Sequence, residues 1–241
     1  MSANHAAFNL IFRFVENYIS PVAGRISSQR HVMAIRDGFI SAMPFMIVGS
    51  FLLVFAYPPF SPDTTWGFAR AWLDLAKEFE GRILTPFDMT MGIMSIYICA
   101  AIAYNLGKHY EKTNQLDPFM CAMLSIMAFL LVAAPKTNGN LPVDSLGGTG
   151  IFTAILVAVY CVEMMRFLKA HNIGIRLPDQ VPPMIKNSFD LLIPVLVVVL
   201  TLYPLSLLIQ HHFDMLIPQA IMAIFKPLVS AADSLPAILL A

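Results

Sequence analysis

GFISAMPFMIVGSFLLVFAY, residues 38–57, contains no charged side chain and is bracketed by Asp37 and Asp63. Twenty residues at the helical rise cover about 30 Å, the thickness of a bilayer's hydrocarbon core. Pro44 would break a soluble helix, but membrane helices tolerate proline because neighbouring groups re-satisfy the freed backbone. Four more windows of this kind follow. Asp88 and Lys108 bracket a predicted helix at about 89–106, and Asp117 and Lys136 one at 118–134. Asp144 and Glu163 bracket one at 146–162, and Asp190 and Asp214 one at 191–210. The stretch 216–225 is too short to span, and 234–241 reads as the opening of an unfinished sixth helix.

Composition agrees. Of 241 residues, 15 are Lys or Arg and 15 Asp or Glu, so only 12% are charged, while 58% are apolar. An ordinary soluble domain carries roughly 25% charged residues. Disordered chains are charge-rich and apolar-poor, which excludes disorder. A net charge of zero argues against nucleic acid as a partner, since phosphate contacts need a basic excess. The expected fold is all-α, a polytopic transmembrane helix bundle of five spans plus amphipathic segments, in contact with membrane lipid.

Lys and Arg counts orient it. Ten lie in the N-terminal segment and the second and fourth loops, five on the other side, placing the N-terminus in the cytoplasm and the C-terminal tail outside. The expected units are a cytoplasmic amphipathic segment (1–37), a five-helix membrane domain (38–210) and an external tail (211–241). In the first, Phe8, Ile11, Phe12, Val15, Tyr18 and Ile19 recur at helical spacing. In the outer loop Phe68, Trp72, Leu75 and Phe79 form a stripe opposed by Arg70, Asp74, Lys77 and Glu78. That pattern fits a short helix packed on the bundle or one lying in the lipid interface.

No Asp, Glu, Lys or Arg lies near the middle of a predicted span, which argues against a self-contained ion pathway. The polar residues within spans (Ser41, Ser50, Thr90, Ser95, Asn105, Ser125, Thr153, Thr201) are expected to bond the preceding turn or a neighbouring helix. Cys99, Cys121 and Cys161 lie in separate apolar runs without a CxxC, so they read as buried fillers. Leu146-Gly147-Gly148-Thr149-Gly150 lacks the Gly-Lys-Ser/Thr ending of a phosphate loop. His211 and His212 point about 100° apart on a helix, wrong for one metal. No catalytic motif and no cofactor or metal set is visible.

Several blocks carry a resemblance. His31-Val32-Met33-Ala34-Ile35-Arg36-Asp37-Gly38-Phe39-Ile40, followed by Met43-Pro44 and Gly49, resembles the start of the membrane component IIC of phosphotransferase sugar permeases, lactose/cellobiose (diacetylchitobiose) type. The likeness continues in Gly92-Ile93-Met94-Ser95 and Leu146-Gly147-Gly148. It extends through Leu177-Pro178-Asp179-Gln180-Val181-Pro182 to Ser188-Phe189 and Ile193-Pro194. The residues carrying it, read as structural, are His31, Gly38, Pro44, Gly92, Ser95, Gly147, Gly148, Pro178, Asp179, Pro182 and Pro194. The proline-rich block cannot continue a helix and should form a rigid turn.

The resemblance implies inward movement of a β-linked disaccharide such as cellobiose or diacetylchitobiose, coupled to its phosphorylation by soluble IIB and IIA proteins. The family's substrate-site His motif and its Asn-Glu-Pro motif do not occur in these 241 residues. What is present corresponds to the family's first five helices, the dimer-contact half. The chain is therefore expected to form a homodimer and not to transport alone; the alternative is a membrane dimerisation or assembly module without transport activity. Gly38, Ser41, Gly49, Gly147, Gly150 and Ala154 are the expected dimer-packing residues.

Overall fold

The computed structural model describes residues 20–135, 139–175, 178, 180–182, 185 and 189–227, and among these there is no β-strand. The helices are α1 (Ser20–Ser27), α2 (Arg30–Ala56), α3 (Gly67–Thr90), α4 (Met94–Asn114), α5 (Pro118–Ala133), α6 (Ile151–Ala170), α7 (Leu192–Phe213) and α8 (217–227). The predicted amphipathic run of residues 8–19 and the predicted helix opening at 234–241 lie outside the described residues.

Each predicted span coincides with a helix, but most boundaries shift. α2 starts at Arg30, α4 runs on to Asn114 and α6 to Ala170. A charge-free window marks the part of a helix that suits hydrocarbon, whereas backbone hydrogen bonding continues into the polar region beyond it. The starts shift for another reason. Residues 89 and 90 still belong to α3, and a turn at 91–93 precedes α4. Gly92 closes that turn, its N–H donating to the Phe87 carbonyl at 3.1 Å. A Cβ there would stand 2.6 Å from the Asp88 carbonyl oxygen, so only glycine fits. Residues 148–150 form a 3-10 turn before α6.

By length and apolarity four stretches can cross a membrane: Arg30–Ala56, Gly67–Asn114, Gly148–Ala170 and Leu192–Phe213. α5 has 16 residues, about 24 Å, short of a full hydrocarbon core. Its start is well specified. Asp117 caps it, with Oδ1 accepting from the Phe119 and Met120 N–H groups at 2.8 and 3.2 Å, and Pro118 occupies the first turn.

α2, α4, α5, α6 and α7 alternate in direction, with α3 packed on the C-terminal half of α2. One end of the bundle holds Arg30 and the other Ala56. α4 is the axis: α2, α5 and α6 all pack on it, and it buries Ser95, Ile98, Cys99, Ile102, Ala103, Leu106, Gly107 and Tyr110. α2 buries only small residues, Ala34, Gly38, Ala42, Gly49 and Ala56, and turns Ile40, Ile47, Val48 and Phe51 outward. That inversion suits a solvent of lipid tails, where large apolar side chains need no cover and small ones let backbones approach.

The small residues expected to pack a second copy are used inside one chain instead. A Cβ on Gly38 would come within 2.9 Å of the Ile102 backbone nitrogen, and one on Gly49 within 2.6 Å of Met91 Cβ. Gly150 faces Phe129 and Ser95, Gly147 faces the Gly92 carbonyl, and Ala154 is fully buried. Only Ser41 is exposed, donating to the Asp37 carbonyl of its own helix at 2.8 Å.

The mild polar residues mostly behave as expected. Ser50, Thr90, Asn105, Ser125 and Thr201 each bond a carbonyl of the preceding turn. Thr153 differs: its Oγ1 is buried without a hydrogen-bond partner among the described residues.

Gly38→Leu is expected to cost about 1–3 kcal/mol through overpacking against α4. Ser41→Leu, one turn away on the exposed face, is expected to stay within about 0.5 kcal/mol. Thermal unfolding of the two variants in detergent separates them.

Candidate functional site

Two polar junctions gather sequence-predicted motif residues, one at each end of the bundle. At the Arg30 end Glu163 of α6 is the hub. Its Oε1 accepts from the Tyr110 hydroxyl of α4 at 2.5 Å and from Nε2 of His31 of α2 at 2.9 Å. Its Oε2 accepts from Arg166 Nε at 2.6 Å, an i,i+3 pair. The guanidinium carbons of Arg30 and Arg166 each lie 5.2 Å from the Tyr110 ring centroid, within cation–π range. Three helices are thus tied by one carboxylate that is about one-quarter exposed. Charge-assisted bonds of this kind are the strong ones, and partial burial spares them full screening.

At the opposite end the 92–95 block meets the 146–150 block. Ser95 N–H donates to the Leu146 carbonyl at 2.9 Å and Ser95 Oγ to the Gly147 carbonyl at 2.5 Å. Gly148 lies within van der Waals reach of Met94. Two blocks that read as separate in the sequence form one structural joint.

The remaining sequence-predicted residues stay apart from these joints. Pro44 is on the exposed face of α2 and Pro194 is buried in α7. Pro178 and Pro182 are exposed, and the N–H groups of Val181 and Ile185 donate to their carbonyls at 3.2 and 3.0 Å. Asp179 lies outside the described residues. Pro194 lines a 380 Å³ cavity at the Arg30 end, together with Asn114, Gln115, Asn172 and the Lys169–Asp190 ion pair at 3.3 Å. Lys169 also donates to the Gln115 carbonyl at 2.6 Å, tying α6 to the turn between α4 and α5. His211 and His212 are exposed at the end of α7, and His212 Nδ1 donates to the Leu208 carbonyl at 3.0 Å.

Sequence reasoning picked His31 but missed Tyr110, Glu163, Arg166 and Arg30 as its company. Glu163 served only to close a charge-free window. An acid immediately beyond an apolar span needs a partner, and Arg166 one turn on was the available signal.

Chemically the hub binds and positions. Its bonds hold α2, α4 and α6 at a set spacing. Tyr110→Phe is expected to lower stability by about 1.5 kcal/mol, the loss of one bond to a charged acceptor. In a Glu163→Gln background the same change should cost less, with a coupling of at least about 0.5 kcal/mol in a double-mutant cycle on unfolding midpoints.

The geometry has counterparts. The family model described as phosphotransferase system, EIIC matches residues 36–241. A cellobiose-specific EIIC component from Geobacillus stearothermophilus is 33% identical over 214 residues, covering 82% of this chain and 45% of that protein. A lactose-specific EIICB component from Staphylococcus epidermidis is 33% identical over 218 residues, covering 88% of this chain and 36% of that protein. The crystal structure of the transporter ChbC, the IIC component of the N,N'-diacetylchitobiose-specific phosphotransferase system, superposes with a TM-score of 0.75 at 31% identity. That match covers 91% of this chain and 52% of ChbC. This chain spans less than half the length of these two curated relatives. It belongs to the phosphotransferase system EIIC family and is a multi-pass membrane protein.

Proposed function

We propose, with membership of the EIIC family as the premise, that this chain supplies the N-terminal, five-helix part of a sugar permease in the bacterial plasma membrane. The permease carries a β-linked disaccharide such as cellobiose, lactose or diacetylchitobiose inward, coupled to phosphorylation by soluble IIB and IIA partners. The observation that carries this reading is the ordered family match over residues 36–241, together with a fold shared with a diacetylchitobiose transporter.

In this reading the Arg30 end faces the cytoplasm, supported by the ten-to-five distribution of Lys and Arg. The chain also forms a homodimer. Since its small residues are spent on internal packing, the contact uses the larger outward side chains of α2 or α7, such as Phe51 and Leu200. The described mid-span residues include no charge that could escort a solute, so the polar sugar path is supplied by another segment.

Two experiments test the reading. Labelled-cellobiose uptake is measured in cells bearing matched IIA and IIB, with this chain alone and with a co-expressed C-terminal half from a full-length relative. No uptake alone and uptake on complementation is the expected result. Uptake by the chain alone would contradict the division of labour; no uptake in either case, with dimers still present, would favour the assembly module. For orientation, all three native cysteines are buried, so Asn172→Cys gives a single accessible thiol at the Arg30 end. A membrane-impermeant thiol reagent should label it only after the cells are opened.

A further inference from the structure

α3 carries a groove that neither junction uses. It is 780 Å³ in volume, the size of a small-molecule pocket, and is lined by Phe55 of α2 and by Phe68, Trp72, Leu75, Phe79 and Arg82 of α3. Phe68 and Leu75 are 62% and 57% exposed. The rings of Phe55, Phe60, Phe68 and Trp72 pack together at one end, with centroids 5.6–5.9 Å apart in the contacting pairs. The opposite face of α3 presents Arg70, Asp74 and Lys77, and Glu78 stands one turn before Arg82 at the edge of the groove without an ion pair to it, all exposed.

Arg82 is the one charged residue in the lining. Its guanidinium lies over the Phe79 ring at 5.5 Å and makes no ion pair among the described residues. An unpaired cation at the mouth of an apolar groove asks for an occupant with a long apolar part and an anionic end. We infer that this groove is a binding site for an anionic phospholipid, with an acyl chain along the Phe55, Trp72 and Phe79 side chains and the phosphate on Arg82.

Other occupants fit less well. A sugar needs hydroxyl partners, and the lining has no carboxylate or hydroxyl; the Trp72 Nε1–H is already donated to the Phe55 carbonyl at 3.2 Å. A second copy in a two-fold contact would present the same lining, which contains Arg82 and no acid, leaving both guanidinium groups unpaired. An interfacial position suits α3 as a whole, with aromatic rings at the water boundary and a charged outer face.

The test uses the full chain in nanodiscs of mixed phosphatidylglycerol and phosphatidylcholine, with retained lipid read by native mass spectrometry. Phosphatidylglycerol is expected to be retained over phosphatidylcholine. Arg82→Gln should lower phosphatidylglycerol retention about fivefold, the effect of one basic side chain at an anionic surface, and leave phosphatidylcholine unchanged. Arg70→Gln on the opposite face should change neither. Ala71→Trp, which fills the groove, should lower both. Equal phosphatidylglycerol retention by wild type and Arg82→Gln, or an equal loss with Arg70→Gln, would overturn the site. A Leu75→Cys variant that forms disulfide-linked dimers in lipid would overturn it too, since a second copy would then cover the groove.

Discussion

The structure depends on how closely α2 can approach α4. Lipid tails solvate leucine as well as protein does, so helices in a bilayer gain little by hiding large apolar side chains. They gain by close packing. α2 meets that condition with buried positions that are all alanine or glycine, and Gly38 brings its backbone against the backbone of Ile102. With α2 that near, Phe45 stacks on Tyr97 with centroids 4.3 Å apart, and the α2 N-terminus reaches Glu163. α4 also contributes Ile98 and Leu106 to a core shared with Leu124, Phe129, Val157 and Val162.

The charged polar chemistry of the antiparallel helices is concentrated at the two ends, and a neutral bond joins helices between them, Tyr160 of α6 to Thr201 of α7 at 2.5 Å. Glu163 fastens α2, α4 and α6 at one end, and Ser95 fastens α4 to the turn before α6 at the other. Most of the mid-span hydroxyls bond their own preceding turns, Thr153 excepted. α3 stands outside the antiparallel helices, its charged face outward and its aromatic face on a groove beside α2.

Much of this was legible in the sequence. Charge-free windows located all five antiparallel helices, and Asp117-Pro118 marked the start of α5 to the residue. The helix ends beyond the windows were not legible, because hydropathy reports the solvent of a segment and not its hydrogen bonding. The stripe Phe68, Trp72, Leu75 and Phe79 identified α3 as a helix but not that it runs to Thr90. His31, Gly92, Ser95 and Gly147 were recognised as motif residues without their partners, since a contact such as His31 with Glu163 spans 132 positions. The glycines were read as small and close-packed, which holds; that they face α4 and its flanking turns and not a second copy depends on a three-dimensional arrangement no local pattern encodes.

Hydrogen–deuterium exchange of the full chain in nanodiscs tests the central claim, that α4 is the packed axis, most directly. Peptides covering residues 96–107 should exchange slowest of all the described helices, because α4 is enclosed by α2, α5 and α6. Peptides from α3 should exchange fastest among the longer helices. Exchange of α4 at the rate of α3 would contradict the account.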